Sequence, residues 1–437
     1  MAKTSAAMLG MLAGLLWLWP VPVRAGASAH AGASVAASRP AARLIDSMDD
    51  PSLWRVSGGS KSKVVTCSAC EGAAARSKAV AIGVKEGAIF GIALRVFKPD
   101  AVWNGFDGLS FRLKGDGSDN WGCIRLQAGS YSKGWVGNFP LKEAGWREVR
   151  LAWGDLVPVS TAVAELGSAD GFRPGDVNLV AFGKSWNFNT RHKKPAIGFC
   201  VDELKLIRGV KASRQRVPIA KLPPLSGVVE KLKAGEAVTI LTLGDSITWG
   251  TNVGGNPEAY PALLGKMLEA RYGNERVRIV NRAIGGSTTC KGRQWLNRDV
   301  RGLDADLVTV MFGFNQRPGG DRAKATEAFT ASLVRYVEEV AGAVRRPPAC
   351  ILIATIPGNK ANWERLDCYA QGIRELGKKH PNVTVADANA HFKKMGQPAY
   401  AKLMSDEAHP NRAGQQEMAE VLLRTIAGEA PAGKEAR

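Results

Sequence analysis

The stretch VTILTLGDS (Val238–Ser246) decides the fold of the C-terminal half of this 437-residue chain. Its first six residues are uncharged and rich in β-branched side chains, which is typical of a strand buried on both faces. Gly244 then permits a sharp turn at the end of the strand. In a parallel sheet such a turn lies at the carboxyl edge, so Ser246 is expected to be exposed there as a nucleophile.

The segments that follow alternate between strand and helix patterns. Strands are predicted at Val238–Leu243, Arg276–Asn281, Leu307–Phe312, Cys350–Ile356 and Val383–Ala386. Helices are predicted at Tyr260–Tyr272, Ala325–Val344, Trp363–Lys379 and Ala413–Ile426. This alternation predicts an α/β domain over residues 237–430, with helices on both faces of a parallel sheet.

A pair of residues just before the last predicted helix strengthens the case for Ser246, because Gly-Asp-Ser alone is a common turn. A histidine is the expected base for a serine nucleophile, and His409 is available. Asp406, three residues earlier across a turn, can accept the imidazole Nδ1–H and fix the tautomer. His391 is the main rival, but Asp387 lies four residues before it and no comparable turn surrounds it.

Acyl transfer also needs hydrogen-bond donors for the developing oxyanion. Gly286 follows a predicted strand and can present its backbone N–H without a side chain in the way. Asn315 follows the next strand and can offer its side-chain amide. Glycine and asparagine are ordinary turn residues, so the value of these two lies in their order and placement.

In this order, the four segments resemble the blocks of the SGNH, or GDSL-type, hydrolase superfamily. That family supplies Ser, Gly, Asn and His, with an Asp three residues before the His. The matching residues here are Ser246, Gly286, Asn315, Asp406 and His409. The resemblance covers about residues 236–430 and implies an SGNH-type three-layer sandwich. The chain has no Gly-x-Ser-x-Gly motif, which disfavours an ordinary α/β-hydrolase.

The sequence departs from the family pattern at two positions. Gln316 stands where the third block usually has an acid, and Ala283 stands where the second block often has glycine. Neither departure removes a catalytic group, but both bear on the geometry of their loops.

The resemblance implies a mechanism in which Ser246 attacks an ester carbonyl while His409, oriented by Asp406, takes its proton. The backbone N–H groups of Ser246 and Gly286 and the Asn315 amide would hold the oxyanion. This chemistry requires no metal or organic cofactor.

Trp249 and Asn252, shortly after the nucleophile, are candidate substrate-lining residues. Their mixed character does not decide between an acetyl and a longer acyl group.

The N-terminal half has a different pattern, with short alternating strands between Gly, Asp and Asn turns. Strands are predicted at Ala88–Val96, Gly108–Lys114, Cys123–Ala128, Trp146–Trp153, Val177–Gly183 and Ile197–Ile207. They predict an antiparallel β-sandwich of jelly-roll type over residues 43–210. This region contains seven tryptophans, whose rings suit stacking on sugars, although core packing is the more common role of any single tryptophan.

The sandwich resembles galactose-binding-like domains of the family 11 carbohydrate-binding and complex I intermediate-associated type. The resemblance rests on the stretches GFDGLSF (105–111), KGDG (114–117), GW (145–146) and VDEL (201–204). A sandwich ahead of an SGNH domain is an arrangement found in carbohydrate esterases. Such a resemblance predicts the fold of the domain more reliably than it predicts the ligand.

The first 25 residues have the pattern of a cleaved signal peptide, with Lys3 ahead of a short apolar run and small residues near position 25. We therefore expect a periplasmic or extracellular protein. No Cys follows that run closely, so a lipoprotein anchor is not expected. No later stretch is apolar for long enough to span a bilayer, so no other stable membrane anchor is expected either. Residues 26–42 read as a disordered linker and residues 211–236 as a linker between domains.

The net charge of +19 is spread along the chain rather than concentrated in one block. Nucleic-acid binding, which usually concentrates basic charge, is therefore not expected. The seven cysteines leave disulfide connectivity open, and nothing fixes the oligomeric state.

We therefore expect an exported serine esterase, and most specifically an O-deacetylase of an acetylated polysaccharide. Two alternatives remain open: a lipolytic esterase or thioesterase of the same superfamily, and a glycan-binding protein whose hydrolase domain is inactive.

Overall fold

The computed structural model describes residues 40–57, 64–130, 133–160, 171–185 and 194–429. The described residues from Ala41 onward form one compact unit. The predicted signal peptide and most of the predicted linker at 26–42 lie outside the described residues. None of the helices in the described part is both long and apolar enough to span a bilayer.

The N-terminal half is an antiparallel β-sandwich, as the alternating pattern predicted. Its strands are β1 (Ala42–Asp46), β2 (Arg55–Ser57), β3 (Val65–Glu71), β4 (Lys78–Val84), β5 (Gly91–Val96), β6 (Gly108–Lys114), β7 (Trp121–Gln127), β8 (Gly134–Pro140), β9 (Trp146–Ala152), β10 (Val157–Pro158), β11 (Leu179–Lys184) and β12 (Ile197–Ile207). One sheet has the order β3-β4-β12-β6-β9, with β1 also paired to β12, and the other has the order β10-β8-β7-β11-β5-β2.

Aromatic side chains fill the space between the two sheets. The Phe111 ring packs edge-on against Phe139 and Phe182. Trp54, Trp103 and Trp135 are buried in the same core. These three tryptophans therefore pack the sandwich and are not available to stack on a sugar at the surface.

The C-terminal half alternates strands and helices. Its strands are β13 (Val238–Gly244), β14 (Val277–Asn281), β15 (Leu307–Met311), β16 (Ala349–Ile353) and β17 (Val383–Ala386). Its helices are α1 (Ser226–Lys233), α2 (Ser246–Trp249), α3 (Tyr260–Tyr272), α4 (Thr289–Gln294), α5 (Leu296–Asp299), α6 (Arg322–Ala343), α7 (Asp367–Lys379), α8 (Ala388–Met395), α9 (Gln397–Ala401) and α10 (Arg412–Ala427).

The five strands form one fully parallel sheet with the order β14-β13-β15-β16-β17. Alternate residues of β13 enter two different cores. Leu241 and Leu243 lie in the core that contains α6 and α7, whereas Val238 and Ile240 lie in the core that contains α3 and α10. The sheet is therefore the middle layer of a three-layer sandwich, which confirms the predicted fold class.

The segment 211–236, which joins the two halves, is packed against both of them. The Asp155 carboxylate of the sandwich accepts hydrogen bonds from the backbone N–H and the hydroxyl of Ser213. The Arg214 guanidinium, a residue further on, forms a buried ion pair with Glu339 of α6. The connection thus fixes the sandwich close to the α4 and α6 side of the C-terminal domain.

Candidate active site

The order of the strands brings the four predicted segments together. In the order β14-β13-β15, the chain turns to opposite sides of β13, and ligands bind at such switch points beyond the carboxyl ends of the strands. Ser246 follows β13, Gly286 follows β14 and Asn315 follows β15. The loop before α10 carries His409 to the same edge.

His409 connects Ser246 to Asp406. Its Nε2 lies 2.8 Å from the Ser246 Oγ, and its Nδ1 lies 2.8 Å from the Asp406 Oδ2. Because a carboxylate can only accept, Nδ1 carries the proton and Nε2 is left to accept the serine proton. The three side chains are thus arranged for nucleophilic catalysis by a serine.

The Asp406 carboxylate is held in its ionised form. Burial raises the pKa of Asp406, but hydrogen bonds from the His409 ring and from the backbone N–H groups of Ala408 and His409 outweigh it and lower this pKa to about 2. Both N–H groups lie 2.7 Å from Oδ1. Asp406 therefore stays charged, and able to orient His409, at any pH where the base is of use.

The turn that presents Ser246 requires both residues before it. A Cβ on Gly244 would lie 2.3 Å from the Thr248 Oγ1 and 2.8 Å from the Met311 carbonyl oxygen, so only glycine fits. The Asp245 side chain then caps α2 by accepting the N–H of Ile247 at 3.0 Å. The sharp turn and the cap place Ser246 at the first position of a helix.

Two backbone N–H groups, those of Ser246 and Gly286, are the predicted oxyanion donors. Gly286 has a φ of +67°, a conformation that glycine adopts without strain. Within the described residues, neither its N–H nor that of Ser246 donates to an acceptor of the chain. Both donors are therefore available to a bound oxyanion.

The Asn315 amide, by contrast, is already engaged. Its Nδ2 donates to the Asp245 Oδ2 and to the Ser287 carbonyl oxygen, each at 3.1 Å. Since both neighbours are acceptors, the amide nitrogen and not the amide oxygen must face them. An oxyanion would have to replace one of these two acceptors.

Asp245 is an unusual residue for this position. It is only 1% exposed, and burial raises the pKa of its carboxyl group to about 6, although hydrogen bonds from Ile247 and Asn315 and the nearby His409 work in the opposite direction. A strongly shifted carboxyl group beside a serine and a histidine is typical of an active site. In the sequence, Asp245 is recognisable only as part of a turn.

Gln316, which departs from the family pattern, has a defined structural role. Its Oε1 accepts the N–H of Thr289, and its Nε2 donates to the Thr289 Oγ1, both at 3.0 Å. It thus ties the loop after β15 to the first turn of α4, which directly follows the Gly286 loop. The substitution fixes two of the site's loops relative to each other.

Asn252 and Trp249 occupy different environments. The Asn252 Nδ2 donates to the Asp406 Oδ2 over 2.8 Å, so this residue helps to hold the predicted acid in place. The half-buried Trp249 ring faces the turn at Gly255. Proximity to Ser246 in the sequence was the only feature that pointed to either residue, and it could not predict the bond to Asp406.

His391, the rival base, lies elsewhere in the domain. Its Nε2 pairs with Glu417 at 2.8 Å, and the Asp387 carboxylate pairs with Arg374. Neither group belongs to the arrangement around Ser246.

The C-terminal domain is similar in sequence to known proteins. Residues 242–417 match the GDSL-like lipase/acylhydrolase family. An acetylxylan esterase of Geobacillus stearothermophilus is 26% identical over 216 residues, which span 45% of this chain and 96% of that protein.

Similar solved structures include one of Axe2, an acetylxylan esterase of the same organism, at 25% identity and a TM-score of 0.37, covering 44% of this chain and 96% of that one. They also include LAE5, an α/β hydrolase from the metagenome of Lake Arreo, at 26% identity and a TM-score of 0.36. That match covers 44% of this chain and 97% of LAE5.

The C-terminal half is therefore a GDSL-like lipase/acylhydrolase domain, which confirms the predicted family. The chain is an esterase-type hydrolase that carries an antiparallel β-sandwich ahead of this domain.

Proposed function

We propose that this protein removes O-acetyl groups from a polysaccharide, with Ser246 as nucleophile, His409 as general base and Asp406 as the residue that orients the base. The observation that carries the proposal is the 2.8 Å contact between the His409 Nε2 and the Ser246 Oγ, with the Asp406 carboxylate on the opposite ring nitrogen. This is the contact through which a serine hydroxyl loses its proton as it attacks.

In the first step, the Ser246 Oγ attacks the acetyl carbonyl carbon while His409 takes the hydroxyl proton. The C–O bond to the sugar then breaks, and His409 returns the proton to the departing sugar hydroxyl. In the second step, water attacks the acetyl-enzyme with His409 again as base, which releases acetate and restores Ser246.

The backbone N–H groups of Ser246 and Gly286 are the first donors for the oxyanion. Asn315 contributes a third by exchanging its bond to Asp245 for a bond to the oxyanion. Because the donors are positioned before the reaction, they stabilise the charge as it develops.

The choice of substrate class rests on the similarity to the acetylxylan esterase of Geobacillus stearothermophilus and on the organisation of the chain. The relative that this domain matches over 96% of its length is named acetylxylan esterase. The N-terminal pattern of a signal peptide favours export to the periplasm or the extracellular space, where acetylated polysaccharides occur. The sandwich ahead of the hydrolase domain provides a second surface for a polymeric substrate.

The catalytic assignment is tested by hydrolysis of p-nitrophenyl acetate. We expect Ser246→Ala and His409→Ala each to lower kcat by at least about 1,000-fold, because residues of a triad act as a unit. His391→Ala is the matched control and should keep its activity. Equal losses in the two histidine variants, or full activity of Ser246→Ala, would contradict the assignment.

The substrate assignment is tested by release of acetate from a panel of acetylated polysaccharides. A clear preference for long-chain p-nitrophenyl esters would instead support a lipolytic enzyme. Glycan binding without any esterase activity in the wild type would support a binding protein.

A further inference from the structure

A cavity of about 210 Å³ lies where the sandwich meets helix α4 of the hydrolase domain. The sandwich contributes Phe90, Cys123, Arg125 and Ser185 to its lining, and α4 contributes Lys291 and Gln294. The cavity is smaller than the roughly 300–1,000 Å³ of ordinary ligand pockets, which suits one sugar-sized group.

Hydrogen bonds hold the two walls of this cavity together. The Asn138 Nδ2 of β8 donates to the backbone carbonyl oxygen of Gln294 at 2.8 Å. The Gln294 side chain donates in turn to the carbonyl oxygen of Pro158 at 3.4 Å. Helix α4 is therefore fixed to the edge of the sandwich, and the cavity has a defined shape.

The same helix connects the cavity to the proposed active site. It begins three residues after Gly286, and the Lys291 Nζ donates to the Gly286 carbonyl oxygen at 3.3 Å. Lys291 thus both lines the cavity and contacts the glycine that presents an oxyanion donor. One side chain therefore links the cavity to the loop that carries Gly286.

The lining combines positive charge with an unused hydroxyl group. Arg125 and Lys291 line the cavity, and no carboxylate does so among the described residues. Gly134 leaves room for the Arg125 guanidinium, since a Cβ there would lie 2.7 Å from its Nη2. The Ser185 Oγ is buried and has no hydrogen-bond partner within the described residues.

We propose that this cavity binds the carboxylate of an acidic sugar, such as a uronic acid, that neighbours the acetylated sugar in the substrate. A guanidinium and an ammonium group recognise a carboxylate through charge-assisted hydrogen bonds. The buried Ser185 hydroxyl supplies a further polar contact. The proposal rests on the proposed function and adds to it that the preferred glycan is anionic.

The test uses the Ser246→Ala variant, which cannot turn over substrate, in isothermal titration calorimetry with trigalacturonate. We expect binding that weakens as salt increases, and at least tenfold weaker binding by xylotriose, which has no carboxylate. Adding Arg125→Met or Lys291→Gln should weaken the binding of trigalacturonate at least tenfold. Lys114→Met removes an equal charge from the other sheet of the sandwich and should have no effect.

Arg125 is buried, so the melting temperature of its variant is measured first. If that variant does not fold, Lys291→Gln decides the test, because glutamine retains a donor for the Gly286 carbonyl. Equal binding of the two sugars, or unchanged binding by a folded cavity variant, would overturn the proposal. Failure of the proposed function would appear separately, as an inactive wild type on p-nitrophenyl acetate.

A different observation concerns two cysteines of the sandwich. The Cys70 and Cys200 sulfur atoms lie 2.6 Å apart, although the residues are 130 positions apart in the chain. Cys70 lies on β3 and Cys200 lies on β12, and these two strands flank β4. In the register of the sheet, Cys70 is opposite Ala79 of β4 and Cys200 is opposite Ala81. These small residues leave space for the two sulfur atoms to meet above β4.

The surrounding hydrogen bonds hold this end of the β3–β4 hairpin against β12. The N–H of Ala73, in the turn that follows Cys70, donates to the Asp202 Oδ2 at 2.8 Å. Cys67 is not equivalent to Cys70, because residues three apart on a strand point to opposite faces. Its sulfur atom instead lies 3.9 Å from the carbonyl oxygen of Pro51.

We infer that Cys70 and Cys200 form a disulfide when the folded chain meets a low-molecular-weight disulfide such as oxidised glutathione. The two thiols lose two protons and two electrons as the S–S bond forms, and the oxidant is reduced to two thiols. The bond would close a loop of about 130 residues, which strongly restricts the unfolded chain.

The test incubates the folded protein with oxidised glutathione and maps its peptides by mass spectrometry without reduction. We expect a linked peptide pair containing Cys70 and Cys200, two hydrogens lighter than the separate peptides. The oxidised protein should also melt at a higher temperature than the reduced one. That difference should vanish in Cys200→Ser and persist in Cys123→Ser. A Cys67–Cys70 link, or alkylation of both Cys70 and Cys200 after oxidation, would overturn the inference.

Discussion

The Asn315 side-chain amide donates to the carboxylate of Asp245, the residue before Ser246, at 3.1 Å. The residue that the family pattern assigns to the oxyanion is thus held by a buried acid before any substrate binds. Burial raises the pKa of Asp245 in spite of this bond, and the raised pKa makes the stability of the domain dependent on pH.

The first prediction concerns the pH dependence of stability. The pKa of Asp245 is about 6 in the folded protein against an ordinary 3.8, so the folded state holds this proton more tightly. The contribution of Asp245 to the free energy of unfolding is therefore fully present below about pH 4 and lost as the pH rises through 6. Its size is roughly 3 kcal/mol.

Asp245→Asn should remove this contribution, so its free energy of unfolding should change less between pH 4 and pH 8 than that of the wild type. Urea unfolding at the two pH values measures the difference. Asp119→Asn, at an exposed position, should show the same difference in free energy of unfolding between the two pH values as the wild type. The prediction fails if Asp245→Asn and the wild type show the same change.

The second prediction concerns Asn252, which supports Asp406. The loss of one hydrogen bond to a partly exposed carboxylate should lower kcat about 3–10-fold and leave KM for p-nitrophenyl acetate unchanged. Asn252→Gly is the variant of choice, since the φ of +71° at this position disfavours alanine. A rise in KM without a fall in kcat would show that Asn252 contacts the substrate instead.

The third prediction concerns the buried Glu339 of α6, which pairs with Arg214, Arg293 and Arg335. Burial raises the pKa of Glu339, but these guanidinium groups outweigh it and lower this pKa to about 2. The resulting stability is present above about pH 4.5 and lost as the pH falls through 2.

Glu339→Gln leaves three guanidinium groups without their carboxylate, so we expect a loss of about 3–5 kcal/mol in the free energy of unfolding at pH 7. Glu375→Gln, which breaks an exposed ion pair with Lys378, should change the free energy of unfolding far less, because solvent screens that pair. Chemical denaturation measures both values, and similar losses in the two variants would contradict the prediction.

The fourth prediction concerns the turn before the nucleophile. Gly244→Ala should destabilise the domain and reduce activity, because the Met311 carbonyl oxygen belongs to the sheet and cannot move away from the added Cβ. Gly227→Ala is the control, since nothing lies within 4 Å of a Cβ there and alanine favours the helix. Thermal unfolding should show a lower melting temperature in the first variant only.

Elements with strong periodicity were predictable from the sequence. The helix Tyr260–Tyr272 and the strand Val383–Ala386 have the predicted bounds. The start of α6 was predicted three residues late, at Ala325, although Asp321 before it is an ordinary N-cap residue that accepts the Lys324 N–H. Capping residues thus locate helix ends better than the apolar pattern does.

The first strands of the sandwich could not be predicted individually. Strand β3 is mostly exposed, and β2 has three exposed residues. Strands of this kind are set by their partners in the sheet rather than by their own residues. For the same reason, the contact between Cys70 and Cys200 depends on the strand order and is invisible in the sequence.

The order of strands and helices was predictable from the amino-acid sequence alone, and so were the residue types that a serine esterase needs. Both could be predicted because buried strands and turn residues have strong local preferences. Only the tertiary structure placed Asn315 on Asp245 and Asn252 on Asp406, and only the tertiary structure closed a cationic cavity between the sandwich and α4. Those contacts join residues distant in the chain, and they depend on which strands are neighbours and how the two halves pack.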